Sequence, residues 1–139
     1  MVNVLVSADS RYPVSRPKIK NVVEEVLVER RVTSDCEVSV LICGARKSRD
    51  LAKKYLDDDQ AHNVLSFPLV DERNLVSPTA KSAKGFVEFQ GGKLVLGDIV
   101  VCYPMAQAEA NRDNILVNEK ICELVQHGLL HLLGEHHEP

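Results

Sequence analysis

The run KLVLGDIVVC at 93–102 leaves this chain few options: it is too apolar to face water and too rich in Val, Leu and Ile to be a loop, so it predicts a buried strand. A buried strand needs cover on both faces, and the rest of the chain supplies it. CEVSVLIC, 36–43, alternates and is rich in β-branched residues, which predicts a second strand. Val2 to Val6 reads as another short one, followed by a loop from Ser7 to Pro17. Between Ile19 and Val32, Ile19, Val22, Val23, Val26 and Leu27 recur at helical spacing with Glu24, Glu25 and Glu29 among them, so this segment is an amphipathic helix. Gly44 ends the second strand, and Ala45 to Leu56 predicts a basic helix carrying Arg46, Lys47, Arg49, Lys53 and Lys54.

NVLSFPL, 63–69, is extended, and its Pro68 favours an edge or an exit from the sheet. Residues 70–85 predict a mobile loop before GFVEF, and QGGKL at 90–94 a turn into the buried strand. Pro104 sits where a first helical turn tolerates proline, and the remainder is helical with a break near Asn111 to Asn114. The order implies an α+β fold: one domain over residues 1–139, with a mixed, mostly four-stranded sheet packed by about four to five helices.

Length agrees, since 139 residues suit a single core. With three Phe, three Tyr and no Trp, aliphatic side chains must fill that core. The formal charge of −3 gives no overall pull toward nucleic acid, so phosphate binding would need a local basic patch or a bound cation. Cys36, Cys43, Cys102 and Cys122 lie in apolar surroundings without C-x-x-C spacing, which reads as buried thiols in a reducing compartment. The N-terminus lacks the form of a signal peptide, and no run approaches the ~20 apolar residues of a membrane span. A cytoplasmic protein without a membrane partner is expected.

HGLLHLLGEHHEP, 127–139, holds four of the five histidines. His127 and His131 are four apart in an apolar helix, so both imidazoles leave one face a single turn apart, close enough to share an ion. A zinc–imidazole bond of about 2.0–2.1 Å demands such proximity. A third ligand cannot come from a continued helix, because a residue ten positions after His127 would lie about 15 Å along the axis and roughly 80° around it. Gly134 removes the conflict by ending the helix in the left-handed conformation, after which His137 can fold back. The pattern is H-x3-H-x2-G-x2-H. Three histidine ligands leave one tetrahedral position for water, the arrangement of a catalytic rather than a closed site, and lower the pKa of that water toward ~7. His136 reads as a supporting or surface residue; the alternative is that it takes His137's place as ligand.

The same spacing occurs in metzincin proteases, where a glutamate after the first His is the general base. Here that position is Gly128, and no methionine turn follows before Pro139. HGLLHLLGEHH is instead similar to the C-terminal signature HGxLHLxGYDH of the YbeY family of bacterial rRNA-processing metalloproteins. NVLSFP at 63–68 and LGDIVVC at 96–102 resemble that family's two other characteristic blocks, in the same order. The resemblance implies a metal site at the C-terminal helix, with one zinc ion per chain on His127, His131 and His137 and no organic cofactor. It also implies a single-strand-specific endoribonuclease of rRNA maturation, including processing of the 16S rRNA 3′ end, and of ribosome quality control. Ribosomal RNA and the small subunit are the implied partners, with no DNA expected.

Two departures from the family pattern stand out. Glu135 and His136 replace the usual Tyr-Asp before the last His. The segment before NVLSFP typically resembles YRxKDxPT, with an Arg thought to engage RNA, whereas this chain reads YLDDDQAH, 55–62, with Leu56 at the Arg position and Asp57, Asp58 and Asp59 after it. The basic residues of the preceding helix either replace that positive charge or form a solvated face. Asp98 either orients a metal-binding imidazole or accepts a proton, or else has a structural role. Ser66 is a pocket hydroxyl or a satisfied strand residue. No general base is assigned, and the oligomeric state is not legible. Two other readings compete: a metal-dependent hydrolase of another substrate, peptides included, and a non-catalytic ribosome-associated zinc protein.

Overall fold

A computed structural model describes residues 2–33, 35–69 and 93–134. Its elements follow one another as β1 (Val2–Ala8), α1 (Arg16–Glu29), β2 (Asp35–Cys43), α2 (Ala45–Leu56), β3 (Val64–Pro68), β4 (Lys93–Cys102), α3 (Tyr103–Asp113) and α4 (Val117–Leu132). The predicted loop, GFVEF and most of the QGGKL turn lie outside the described residues. Helix α1 starts earlier than its apolar period suggested: Ser15 caps it by accepting from the Lys18 N–H, and Pro17 stands in the first turn, where a missing N–H costs nothing. It also ends earlier, at Glu29, because Arg31 takes a left-handed φ of 61° and turns the chain toward β2.

The strands form one sheet in the order β1-β2-β4-β3, with β1, β2 and β4 parallel and β3 antiparallel at the edge. This is the expected mixed four-stranded α+β fold, with four helices among the described residues. Helices α1, α3 and α4 cover one face, packing Ile19, Val23, Ala106, Ile121, Leu129 and Leu132 on Val38, Val40, Ile42, Leu96, Ile99 and Val101. Helix α2 covers part of the other through Ala52 beside Cys43, Leu65 and Val100. The four cysteines are free thiols, three of them buried, and burial pushes the Cys43 thiol up to about 11. Among the described residues no helix is long and apolar enough to cross a membrane.

The pairing of β2 with β4 is interrupted. Glu37 pairs with Val95 but Val38 pairs with Gly97, so Leu96 is an extra residue on β4. A bulge of this kind reverses the alternation beyond it. Leu94 and Leu96 point at α4's side, and so do Ile99 and Val101. Asp98 is thereby sent to the opposite face.

The break between α3 and α4 is built by Asn114, in the left-handed conformation, and by the Glu119 carboxylate, which accepts from the Leu116 N–H at 3.1 Å. Lys120 is 7% exposed, and its ammonium donates to Asp113 at 2.7 Å and Glu123 at 3.0 Å. The Lys120 and Arg112 hydrogen bonds hold the Asp113 carboxyl below its usual range, and Asp113 and then Glu123 raise Lys120. A depressed carboxyl contributes stability above its unfolded pKa of ~3.9 and loses it as pH falls through the lower folded value. A raised ammonium contributes below ~10.4 and loses it as pH rises through the higher one. Melting curves of the parent and Lys120→Met across pH should therefore show a difference that is widest between these limits and shrinks beyond both. A pH-independent difference would show that the network contributes nothing.

Candidate metal centre

Among the described helices α4 is the most deeply seated, burying Ile121, Leu124, Val125, Leu129, Leu130 and Leu132. At about 1.5–3 kcal/mol gross per buried aliphatic side chain, its docking is firm enough to fix whatever it carries. It carries His127 and His131. As the i, i+4 spacing required, they share a face: their ring centroids are 4.5 Å apart with planes inclined at 54°. His127 is exposed, whereas His131 is half-buried and its Nε2 is withdrawn from solvent.

Between the two histidines, Gly128 is pressed onto the sheet. A Cβ there would stand 2.9 Å from Ile99 Cγ2, 3.0 Å from Ser66 Oγ and 3.3 Å from Val64 Cγ2. The position at which a metzincin holds its glutamate is thus a contact surface with no room for a side chain. Ser66, on the edge strand β3, donates from its hydroxyl to the Gly128 carbonyl at 3.0 Å. Of its two readings, the hydroxyl is a satisfied one, and its partner lies on the histidine helix. Nothing in the sequence signalled this pairing across 62 residues.

Gly134 has φ 86°, the left-handed conformation expected of it, and its N–H donates to the His131 carbonyl at 3.0 Å. The helix therefore ends at Leu132, and Gly134 turns the chain three residues after His131. His137, the proposed third ligand, lies outside the described residues, as do Glu135 and His136. Among the described residues no group of three His, Cys, Asp or Glu side chains could hold a metal. Two imidazoles on one helix face, one with its Nε2 withdrawn from water, are donors of the type zinc takes and amount to two of the three or four ligands such a site needs.

Asp98 cannot orient either imidazole. It is exposed, its cross-strand neighbours are Ser39 and Phe67, and with Leu5, Tyr55 and Phe67 it lines a groove of about 830 Å³ on α2's side of the sheet. The sheet lies between it and α4.

The departures around Leu56 have a structural account. Leu56 is 51% exposed. Arg49 Nε donates to Asp59 Oδ1 at 2.9 Å, and His62 Nε2 meets Asp58 Oδ2 at 2.7 Å, so two of the three aspartates have cationic or imidazole partners. Ser48 Oγ donates to the His62 carbonyl and accepts from the His62 N–H, tying the segment down on α2. Asn63 reaches Glu109 of α3 at 3.1 Å. All five basic residues of α2 are exposed, on the far face of the sheet from α4.

Comparison with known proteins is consistent across the chain. Residues 7–139 match the family model described as Endoribonuclease YbeY. A protein of that name from Dehalococcoides mccartyi is 33% identical over 138 residues, covering 99% of this chain and 78% of the relative. Another from Clostridium perfringens is 34% identical over 128 residues, covering 86% of this chain and 73% of the relative. A third, from Acinetobacter baumannii, is 30% identical over 140 residues, covering 99% and 81%. The solution structure of a Thermotoga maritima protein superposes with a TM-score of 0.56 at 20% identity, covering 99% of this chain and 75% of that one, which supports the fold.

Proposed function

This chain belongs to the YbeY endoribonuclease family, and on that premise we propose that it cleaves single-stranded RNA in rRNA maturation and ribosome quality control, the 16S rRNA 3′ end included, with one zinc ion per chain. The observation that carries the reading is the His127–His131 pair on one face of α4, with the chain turned at Gly134 three residues after it. His127 and His131 would hold the ion from α4 and His137 would complete the set; so held, it would supply an acidified water near neutral pH and positive charge for a phosphate oxygen.

The chain's own residues do the rest. Gly128 keeps any carboxylate out of the contact beneath the imidazoles, which sets this site apart from that of a metzincin. His131 sits with its Nε2 out of bulk water, where its attraction for a cation is less screened. The basic surface of α2 is the reservoir of positive charge for the RNA backbone in place of an arginine at Leu56. The two helices cover opposite faces of the sheet, so an RNA strand that touches both α2 and the histidines passes round the sheet rather than along one face. Ribosomal RNA of the small subunit, in the cytoplasm, is the proposed target.

Zinc-loaded protein incubated with a single-stranded rRNA fragment, the same fragment annealed to its complement, and casein tests the reading. Cleavage of the single strand alone is expected, lost with chelator and restored by zinc. Casein hydrolysis without RNA cleavage would favour a hydrolase of peptides, and ribosome cosedimentation without any cleavage a binding protein.

A further inference from the structure

Resting on the RNA reading above, we propose that the open edge of β3 holds the Watson–Crick edge of an unpaired base on the histidine flank of α4, through the backbone N–H and C=O groups of Val64 and Ser66.

Two hydrogen bonds show which way that backbone faces. The Asn63 carbonyl accepts from the Cys102 N–H at 2.9 Å, and the Leu69 N–H donates to the Leu96 carbonyl at 3.0 Å. Alternation along an antiparallel pair then turns the backbone groups of Asn63, Leu65, Phe67 and Leu69 toward β4, and those of Val64 and Ser66 outward. Among the described residues no strand lies beyond β3. Pro68, next in the outward series, has no N–H, so Val64 and Ser66 supply the donors.

The histidines open on the same side. With Gly128 pressed against Ile99, Ser66 and Val64, Cys122 lies about 120° round α4 in one direction, and His127 and His131 about 100° and 60° in the other. Cys122 is within electrostatic reach of Lys18 and Glu25 of α1, which packs on β1. That flank of α4 therefore faces the β1 side of the sheet, and the strand order places the outer edge of β3 on the opposite flank, with the imidazoles.

An open strand edge alternates donors and acceptors, so its partner must offer both. A phosphodiester offers acceptors only and would be set against the Val64 and Ser66 carbonyls. The Watson–Crick edge of a base carries a donor next to an acceptor, and in a duplex both are engaged by the complementary strand. Selection of single strands then follows from the atoms that β3 presents. A peptide strand also offers both kinds of group; membership of an endoribonuclease family favours the base.

The test uses zinc-loaded protein and two probes without an internucleotide bond to cleave: uridine 5′-monophosphate and its 3-methyl derivative, which lacks the N3 donor. Binding is followed through backbone amide chemical shifts by NMR. Uridine monophosphate is expected to shift the Val64 and Ser66 amides and to bind about fivefold more tightly than the methylated form, the gain from one hydrogen bond. Val64→Pro removes one outward N–H at a place where an edge strand accepts proline, and should weaken uridine monophosphate about fivefold. Val64→Ala, which keeps the N–H, should bind as the parent does. Equal affinity of the parent for the two nucleotides, or shifts confined to other amides, overturns the proposal even if Val64→Pro fails to fold. A short capped alanine peptide that shifts the Val64 and Ser66 amides where the nucleotide does not overturns it in favour of a peptide strand. The RNA reading stands or falls separately, on cleavage of the single-stranded fragment by the parent.

Discussion

His131→Ala should leave a folded protein that holds less than about a tenth of an equivalent of zinc and cleaves RNA at below about a thousandth of the parent rate. The imidazole is half-buried at the end of α4, flanked by Leu130 and Leu132, which keep their own burial in the variant. Packing is therefore largely preserved, and the loss falls on the ion. Removing a group that merely supports a metal ligand typically costs 10–100-fold in affinity or activity, and removing a ligand outright costs more. The matched control is His62→Ala, which deletes an imidazole engaged with Asp58 beside α2, away from α4. Elemental content and cleavage of the same single-stranded substrate should both fall in the first variant and stay at parental values in the second. Parental metal in His131→Ala would remove the proposed site.

The second large effect is on stability. Gly128→Glu writes the metzincin base into HGLLH, yet it should destabilise the protein severely rather than make a protease. Its Cβ would meet Ile99 Cγ2 at 2.9 Å and Ser66 Oγ at 3.0 Å. Ile99 is fully buried at the centre of β4 and cannot retreat. Overpacking costs about 1–3 kcal/mol, and driving a carboxylate into an apolar seam costs several more. Against a total stability of about 5–15 kcal/mol, this lowers the melting temperature by at least about 10 °C. Gly128→Ala, with the clash but no charge, should lose about 1–3 kcal/mol. Thermal melts decide the matter, and a Gly128→Glu protein as stable as the parent would mean that α4 does not sit on Ile99.

The pairing of His127 with His131 could be read in advance because its logic is local. Four-residue spacing puts His127 and His131 together on any α-helix, and a glycine three positions on can end that helix in any tertiary setting. The strand assignments at 36–43 and 93–102 come from composition and alternation over a few residues, and Gly44 marks the start of α2; the structure adds that the left-handed Asp57 ends it. Counting Pro17 as loop starts α1 too late, although Ser15 and Pro17 together form a helix-start signal.

Asp98 shows where local reading fails. Counting by twos from Leu94 and Leu96 puts Asp98 under α4, beside the histidines. The extra residue at Leu96 sends it to the other face, and that bulge exists only because β2 pairs with both halves of β4 across it. Ser66 and Gly128 meet for the same kind of reason. Neither has a partner within its own element that would announce the contact, and the two come together only when β3 docks at the edge of the sheet and α4 lies across it. Helical and strand character, the shared face of the two imidazoles and the turn at Gly134 follow from interactions within a few residues. Strand order, the face each side chain takes beyond a bulge, and the separation of the basic helix from the histidines depend on packing between segments far apart in the chain, and short-range periodicity carries no information about that.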